Sequence, residues 1–368
     1  MKVDFNRAAL LHALGLLTSV VPGRTPKPIL RCLQINAGKK EVRICATDLE
    51  VGMNYLVSEA TVHQPGEVII PADRLAAIVR ESADEVLQFS ASKGTCEIKG
   101  CDSHFTIYGQ EPGQYPIVPT LQGQPDLKIN LSDLQAGIEQ CLFATAKESS
   151  RYAINGVLWE IKGKKLLLVA TDGRRLARSR VNLSSSPGEK LAQARIIVPA
   201  KTMALLNKLT SSNDDTVAIE LVDNQVLIGA ADVVISSNLV EGNFPKYEDI
   251  IPTDYDKKLT LSTEATLSAV RRSALLTSEE SRGIKLTIGK DKIVFSGRAP
   301  ETGNAQIDMS VQYDGEPIEI GFNPQFLIDV LRVIKTEQFE FELGQADRPG
   351  LIKSGNDFLY VLMPISLG

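Results

Sequence analysis

Three similar two-layer α+β domains, each with two helices packed on β-sheet, are the architecture this sequence predicts. Three observations lead there. A Gly-Lys dipeptide recurs between paired apolar runs at Gly38-Lys39, Gly163-Lys164 and Gly289-Lys290, at near-constant spacing (163 − 38 = 125; 289 − 163 = 126). A helical pattern precedes and another follows each pair of runs, and short apolar strands close each repeat. A third of the 368-residue chain is enough for one such two-layer domain.

The elements follow in order. The runs Leu33–Ala37 with Val42–Ala46, Val157–Ile161 with Leu166–Ala170, and Ile284–Ile288 with Lys292–Phe295 are apolar over strand length and read as β-hairpins turning at the glycine. Ahead of them, Leu10, Leu14, Leu17 and Val21 follow Asn6; Leu134, Ile138 and Leu142 follow Ser132; Leu267, Val270 and Ala274 follow Ser262. These are helical spacings with Asn or Ser where an N-cap belongs. After each hairpin a short strand meets a second helix: Val68–Pro71 into Asp73–Glu81, Ile196–Pro199 into Lys201–Leu209, and Ile318–Ile320 into Pro324–Lys335. Further strands are expected at Val86–Ala91, Cys96–Lys99 and Phe105–Tyr108; Val217–Leu221, Gln225–Ile228 and Val233–Leu239; and Phe339–Leu343, Leu351–Lys353 and Phe358–Met363. The expected order in each repeat is α-β-β-β-α-β-β-β. Tyr115-Pro116 with Pro119, and Phe244-Pro245 with Pro252, each precede a polar stretch and set domains near 1–124, 125–253 and 254–368.

Composition narrows the function. With 43% apolar and 23% charged residues, five cysteines and a net charge of −5, the chain falls outside the disordered, collagenous and disulfide-rich classes. No stretch nears the roughly 18 apolar residues of a membrane span. The opening Met1-Lys2-Val3-Asp4-Phe5 lacks the blocks of a signal peptide, so a cytoplasmic protein is expected. Cys32, Cys45, Cys96, Cys101 and Cys141 form no CxxC pair and read as small buried hydrophobes.

Catalytic chemistry is hard to find. The three histidines, His12, His63 and His104, all lie in the first third. No GxGxxG, GxSxG or HExxH occurs, and Gly163-Lys164-Lys165 lacks the spacing of a phosphate-binding loop. Asp214-Asp215 and Glu279-Glu280 read as solvated acids. No catalytic residue, metal ligand or cofactor is assigned, and an enzyme is not expected. Against the acidic total, candidate helices and their ends carry Arg7, Arg74, Arg80, Lys201, Lys208, Arg271, Arg272, Arg332 and Lys335. That is either the solvated side of amphipathic helices or a basic surface shared by all repeats, able to hold phosphates without reading sequence.

The segments Arg151–Leu158, Ala170–Ala177, Phe244-Pro245-Lys246-Tyr247, Ser281-Arg282-Gly283 and Tyr360–Pro364, in order and at threefold spacing, resemble the bacterial DNA polymerase III beta subunits, the sliding clamps, over essentially the whole chain. The resemblance implies the DNA clamp fold and a head-to-tail homodimer forming a ring of six domains, with helices lining the hole. Twelve helices at about 10 Å spacing leave a hole of roughly 28 Å, wide enough for duplex DNA with a layer of water. It further implies sequence-independent, topological binding of double-stranded DNA in the cytoplasm, at the nucleoid. Its other partners would be replicative and repair DNA polymerases and an ATP-dependent clamp loader, with no membrane involved.

Residue by residue, the resemblance implies DNA contacts at Arg24, Arg80, Arg151, Tyr152, Lys201 and Arg282. It implies a pocket for partner peptides at Ile154, Thr171, Gly173, Arg175, Leu176, Pro245, Ile250, Val361, Leu362, Met363 and Pro364. The dimer contact would fall on Phe105 and Ile107 against Leu275 and Leu276. Ala153 departs from a common family aromatic, and Asp249 and Ser366 stand where some members have arginine. The competing reading is a repeat-built protein scaffold that does not encircle DNA.

Overall fold

The computed structural model describes residues 1–110, 112–147, 153–192, 194–210, 215–277 and 283–366. The first repeat runs β1 (Lys2–Asn6), α1 (Arg7–Leu17), β2 (Cys32–Ala37), β3 (Val42–Thr47), β4 (Val51–Val57), β5 (Ala60–Gln64), β6 (Gly66–Pro71), α2 (Ala72–Glu81), β7 (Val86–Ser92), β8 (Thr95–Lys99) and β9 (His104–Tyr108). The second runs β10 (Leu127–Asn130), α3 (Leu131–Leu142), β11 (Gly156–Lys162), β12 (Lys165–Thr171), β13 (Arg175–Asn182), α4 (Glu189–Ala192), β14 (Arg195–Pro199), α5 (Ala200–Leu206), β15 (Thr216–Val222), β16 (Gln225–Ala230) and β17 (Val233–Asn238). The third runs β18 (Lys257–Ser262), α6 (Thr263–Ala274), β19 (Ile284–Gly289), β20 (Lys292–Ala299), β21 (Gly303–Ser310), β22 (Ile318–Phe322), α7 (Pro324–Val333), β23 (Gln338–Leu343), β24 (Gly350–Ser354) and β25 (Phe358–Leu362).

The second and third repeats therefore carry two strands more than the expected order, and the first carries three, β5 being its additional one. One opens the repeat (β1, β10, β18), and one follows the hairpin (β4, β13, β21). The opening strands are short and alternate two apolar residues with charged or polar ones. In β13 one face buries Ala177, Ser179 and Val181 and the other buries Leu176, and three arginines punctuate the strand. The third hairpin also turns differently, because Gly289 pairs with Lys292 and the turn is Lys290-Asp291, with Asp291 at φ 60°.

Capping explains where the helices begin. Asn6 accepts a bond from Ala9 N (3.0 Å) and Ser262 one from Ala265 N (3.4 Å), as their sequence positions imply; such caps contribute about 1 kcal/mol. In α3 the expected cap, Ser132, lies inside the helix. Asn130 takes the capping role instead, accepting from Ser132 N at 2.9 Å. The inward faces are aliphatic: Leu10, Ala13, Leu14 and Leu17 of α1, Leu75 and Val79 of α2, Ala269 and Val270 of α6, and Leu327, Val330 and Leu331 of α7 are buried. Each such leucine contributes roughly 1.5–3 kcal/mol.

Two compact units divide the chain. The first comprises Met1–Ser132, Leu183–Gln193 and Lys201–Leu239. It holds a five-stranded sheet ordered β5-β1-β7-β8-β9 and an eight-stranded one ordered β10-β15-β16-β17-β4-β3-β2-β6. The second comprises Asp133–Asn182, Ala194–Ala200 and Val240–Gly368. Its sheets are β14-β11-β12-β13-β25-β24-β23-β18 and β21-β20-β19-β22. Every strand pair is antiparallel, and the middle repeat supplies strands to both units. The eight-stranded sheets join repeats through backbone ladders: β17 runs on β4 from Val233↔Tyr55 to Ser237↔Val51, and β25 on β13 from Arg175↔Leu362 to Ser179↔Phe358.

The stretches expected as linkers are fastened down. Tyr115 is buried and donates its hydroxyl to Cys32 O at 3.0 Å. Gln122 N bonds Glu220 Oε2, and Asp126 Oδ2 accepts from Leu221 N.

Candidate partner cleft and DNA-contact residues

The second unit contains the expected cleft residues, and its central feature is the turn between β12 and β13. Thr171 Oγ1 donates to Arg175 O (2.7 Å) and accepts from Gly173 N (3.1 Å). Asp172 Oδ1 accepts from Arg174 N and Arg175 N. Gly173 sits at φ +85°, and a Cβ there would meet nothing within 4 Å. Backbone conformation, not crowding, is what asks for glycine.

Arg175 locks this turn to the rest of the unit. Its Nε bonds Asp172 Oδ2 (2.9 Å), Nη1 bonds Asp329 Oδ2 of α7 (2.7 Å), and Nη2 bonds Phe143 O (2.7 Å). The guanidinium lies 4.4 Å from the Phe326 ring centroid and 5.4 Å from that of Phe143. Its side chain is 9% exposed. Burial opposes the charge, but the hydrogen bond to Asp329, with Tyr360 and Asp172, outweighs it and raises the Arg175 pKa. Asp329, Phe143 and Phe326 lie far away in sequence and carry no local signal of this role. Asp172 does, through the Ala-Thr-Asp turn motif.

β25 runs beside the turn, with Leu176 opposite Val361 and Arg175 opposite Leu362. Met363 N extends the ladder to Arg174 O at 2.9 Å. Leu176 and Val361 join Ala153, Leu158, Val169, Ile197, Tyr247, Leu351 and Leu359 in one buried cluster, with Phe244 and Ile251 packed on it. Ile154 and Pro245 adjoin this cluster in the chain; Ile154 is buried and Pro245 half-buried. Thr171, Gly173, Arg175, Leu176, Val361, Leu362 and Met363 are thus brought together, while Pro364, half-buried, follows at the strand's end. Most of these side chains are floor. Open apolar surface comes from Ile250 (39% exposed) and Met363 (41%), which line a shared cavity of about 920 Å³.

The expected DNA contacts are only partly described. Arg151, Tyr152 and Arg282 lie outside the described residues, as do Asp214 and Glu279-Glu280. Arg24 is exposed, and Arg80 is exposed with its Nε on Glu81 Oε1 (3.0 Å). Lys201 is not free: its Nζ bonds Asp48 and also Val20 O, the latter at 3.1 Å. Lys208 reaches Ser19 Oγ at 3.1 Å, so two lysines gather where α1 gives way to the loop carrying Arg24. His12, His63 and His104 are surface residues beside Thr210, Asp4 and Glu97.

Of the expected dimer residues, Phe105 is 36% exposed and Leu275 79% exposed, Leu276 is half-buried, and Ile107 is buried within its own unit. Phe105 and Ile107 lie opposite Ile98 and Cys96, which face the core, and Phe105 is left uncovered towards the strand's start. Among the described residues no group of three or more His, Cys, Asp and Glu is arranged to hold a metal ion, and no helix is long and apolar enough to cross a membrane.

Comparison with known proteins resolves what this arrangement is. Family models for the N-terminal, central and C-terminal domains of the DNA polymerase III beta subunit match residues 1–119, 128–246 and 248–366. The beta sliding clamp of Caulobacter vibrioides is 33% identical over 376 residues, covering 99% of this chain and all of that one. That of Pseudomonas putida is 32% identical over 370 residues, covering both chains fully. The crystal structure of the DNA polymerase III subunit beta from Pseudomonas aeruginosa superposes with a TM-score of 0.92 at 31% identity, again over both full chains. Three repeats of this fold, each matched by a domain of that family over the full chain, define a sliding clamp, a processivity factor and not a catalytic subunit. The chain belongs to the DNA polymerase III beta subunit family, and it acts in DNA replication as a sliding clamp for that polymerase.

Proposed function

We propose that two copies of this chain close head to tail into a ring around duplex DNA, built from three clamp domains per copy near 1–124, 125–253 and 254–368. The strand order carries this reading. The last strand of the second repeat, β17, pairs with β4 of the first, and the last strand of the third, β25, pairs with β13 of the second. By the same rule β9, last in the first repeat, and β21, the counterpart of β4 and β13, should each pair with a strand of another repeat, and neither does so among the described residues. Both are sheet edges. Joining β9 of one copy to β21 of the next completes the series, as a heterologous contact that closes on itself.

Side chains at these edges support it. Phe105 stands on β9, and Leu275 and Leu276 directly follow α6, which packs on β21. These residues and Ile107 form the dimer contact in this reading.

Inside the ring, Arg24, Arg80, Arg151, Tyr152, Lys201 and Arg282 touch the phosphates and sugars without reading sequence. The cleft around Arg175, Ile250 and Met363 receives short peptides from replicative and repair polymerases and from an ATP-driven clamp loader that opens the ring. Met363 suits a site with several partners, since a flexible thioether adapts to different shapes. Such a protein works in the cytoplasm, on the nucleoid.

The test is retention on nicked circular DNA in high salt, after loading with the cognate loader and ATP, before and after a restriction cut. Salt screens phosphate contacts but leaves a closed ring intact. Retention on the circle and rapid loss after cutting is expected. Loss from both with an active loader would overturn encirclement and favour the scaffold reading.

A further inference from the structure

We propose that the peptides this clamp receives carry basic residues beside their apolar anchor, read by an acidic trough that continues from the cleft. The proposal rests on the reading of Ile250 and Met363 as part of the partner cleft. Those two residues also line the cavity of about 920 Å³ whose walls are 249–256 on one side and 344–349 on the other. Its floor is apolar where the two regions meet, with Ile251, Pro252, Tyr255 and Pro349 half-buried.

The charges are one-sided. Asp249, Asp254, Asp256 and Asp347 line the trough and are exposed, against one lining base, Arg348. Asp256 is already paired with Lys257 (2.9 Å). Asp249, Asp254 and Asp347 have no ion-pair partner among the described residues. A further cation beside the trough is held elsewhere: Lys353 lies 5.3 Å from the Tyr255 ring centroid and bonds Glu342 at 2.7 Å. Three unpaired carboxylates around one concavity repel each other, and a ligand that brings cations relieves that repulsion while its apolar side chains cover Ile250 and Met363. Acidic or neutral flanks gain nothing here, so the trough sorts partners that share the same anchor. An exposed ion pair changes an equilibrium constant by up to about fivefold, so two or three together amount to roughly tenfold at low salt, shrinking as salt screens them.

The experiment selects peptides from a random phage-displayed library on the full-length chain, on its Met363→Glu variant, and on the triple variant Asp249→Lys, Asp254→Lys, Asp347→Lys. All three aspartates are exposed, and a thermal melt checks that the triple variant folds. Fluorescence anisotropy then measures an enriched peptide against a copy with each Lys or Arg replaced by Glu. The expected result is Met363-dependent peptides rich in Lys and Arg near an apolar anchor, binding about tenfold more tightly than their Glu copies. That preference should be lost or reversed on the triple variant. Met363-dependent peptides with no charge preference would overturn the trough and leave the cleft standing. If no enriched peptide depends on Met363, the cleft fails and the trough with it.

Discussion

Replacing Arg175 by methionine keeps the length of the side chain and removes its fork. Three charge-assisted hydrogen bonds go, of 2.9, 2.7 and 2.7 Å, and the carboxylates of Asp172 and Asp329, each 19% exposed, lose their counter-charge. Breaking a buried pair by removing one partner costs about 3–5 kcal/mol. Asp329 retains a bond from Gln325 Nε2 at 2.6 Å, and both acids keep some water, so a value near the bottom of that range, about 3 kcal/mol, is expected. The sole tryptophan, Trp159, is buried in β11 and reports on the second unit alone, so urea unfolding followed by its fluorescence reads the loss directly. Asp329→Asn supplies the other edge of a double-mutant cycle, with a coupling of about 1–3 kcal/mol between two residues in one network. Additivity within about 0.5 kcal/mol would show that the Arg175–Asp329 contact does not hold the turn.

Three further outcomes are expected. Leu275→Glu places a charge where the side chain is already 79% exposed, so the chain should fold normally and sediment as a monomer; an unchanged dimer would remove Leu275 from the interface. Gly173→Ala meets no atom within 4 Å but must hold φ +85°, so it should destabilise the second unit by about 1–2 kcal/mol in the same urea assay. Burial, the largest cause, pushes the Cys45 thiol up to about 11 from 9.0. Its proton is held more tightly in the folded chain, so the stability it contributes is present below pH 9 and lost as pH rises through about 11; thermal melts across that window should fall less steeply for Cys45→Ala.

How much of this was legible depends on what each segment buries. The hairpins around Gly38, Gly163 and Lys290 announce themselves because both strands are apolar enough to show against their turns. Strands such as Lys2–Asn6 and Leu127–Asn130 bury two side chains each and look like any polar stretch. β13 hides for a different reason: its inward Ser179 is satisfied by Gln140 Oε1 at 2.6 Å, a partner that sequence does not advertise. The cleft divides in the same way. Thr171, Asp172 and Gly173 form a turn from neighbouring residues and leave a motif, whereas Arg175 meets Asp329 only after the chain has folded back on itself. Lys201 exposes the converse limit. A lysine on a helix reads as a free charge, and Asp48 occupies it through contacts between distant repeats.

The ladders that join one repeat to the next also set a timetable for synthesis. β4 is complete at Val57, but its partner β17 begins only at Val233 (233 − 57 = 176 residues), which at about 5–20 residues per second is a wait of roughly 9–35 s. β13 waits about as long for β25, since Asn182 ends one and Phe358 begins the other (358 − 182 = 176 residues). Throughout each interval a nascent chain presents an unpaired edge whose rightful partner has yet to be made, and other strands of the repeat offer themselves first. The inherited repeat is therefore not the unit that finishes folding: every eight-stranded sheet stays open until the end of the repeat after it has left the ribosome.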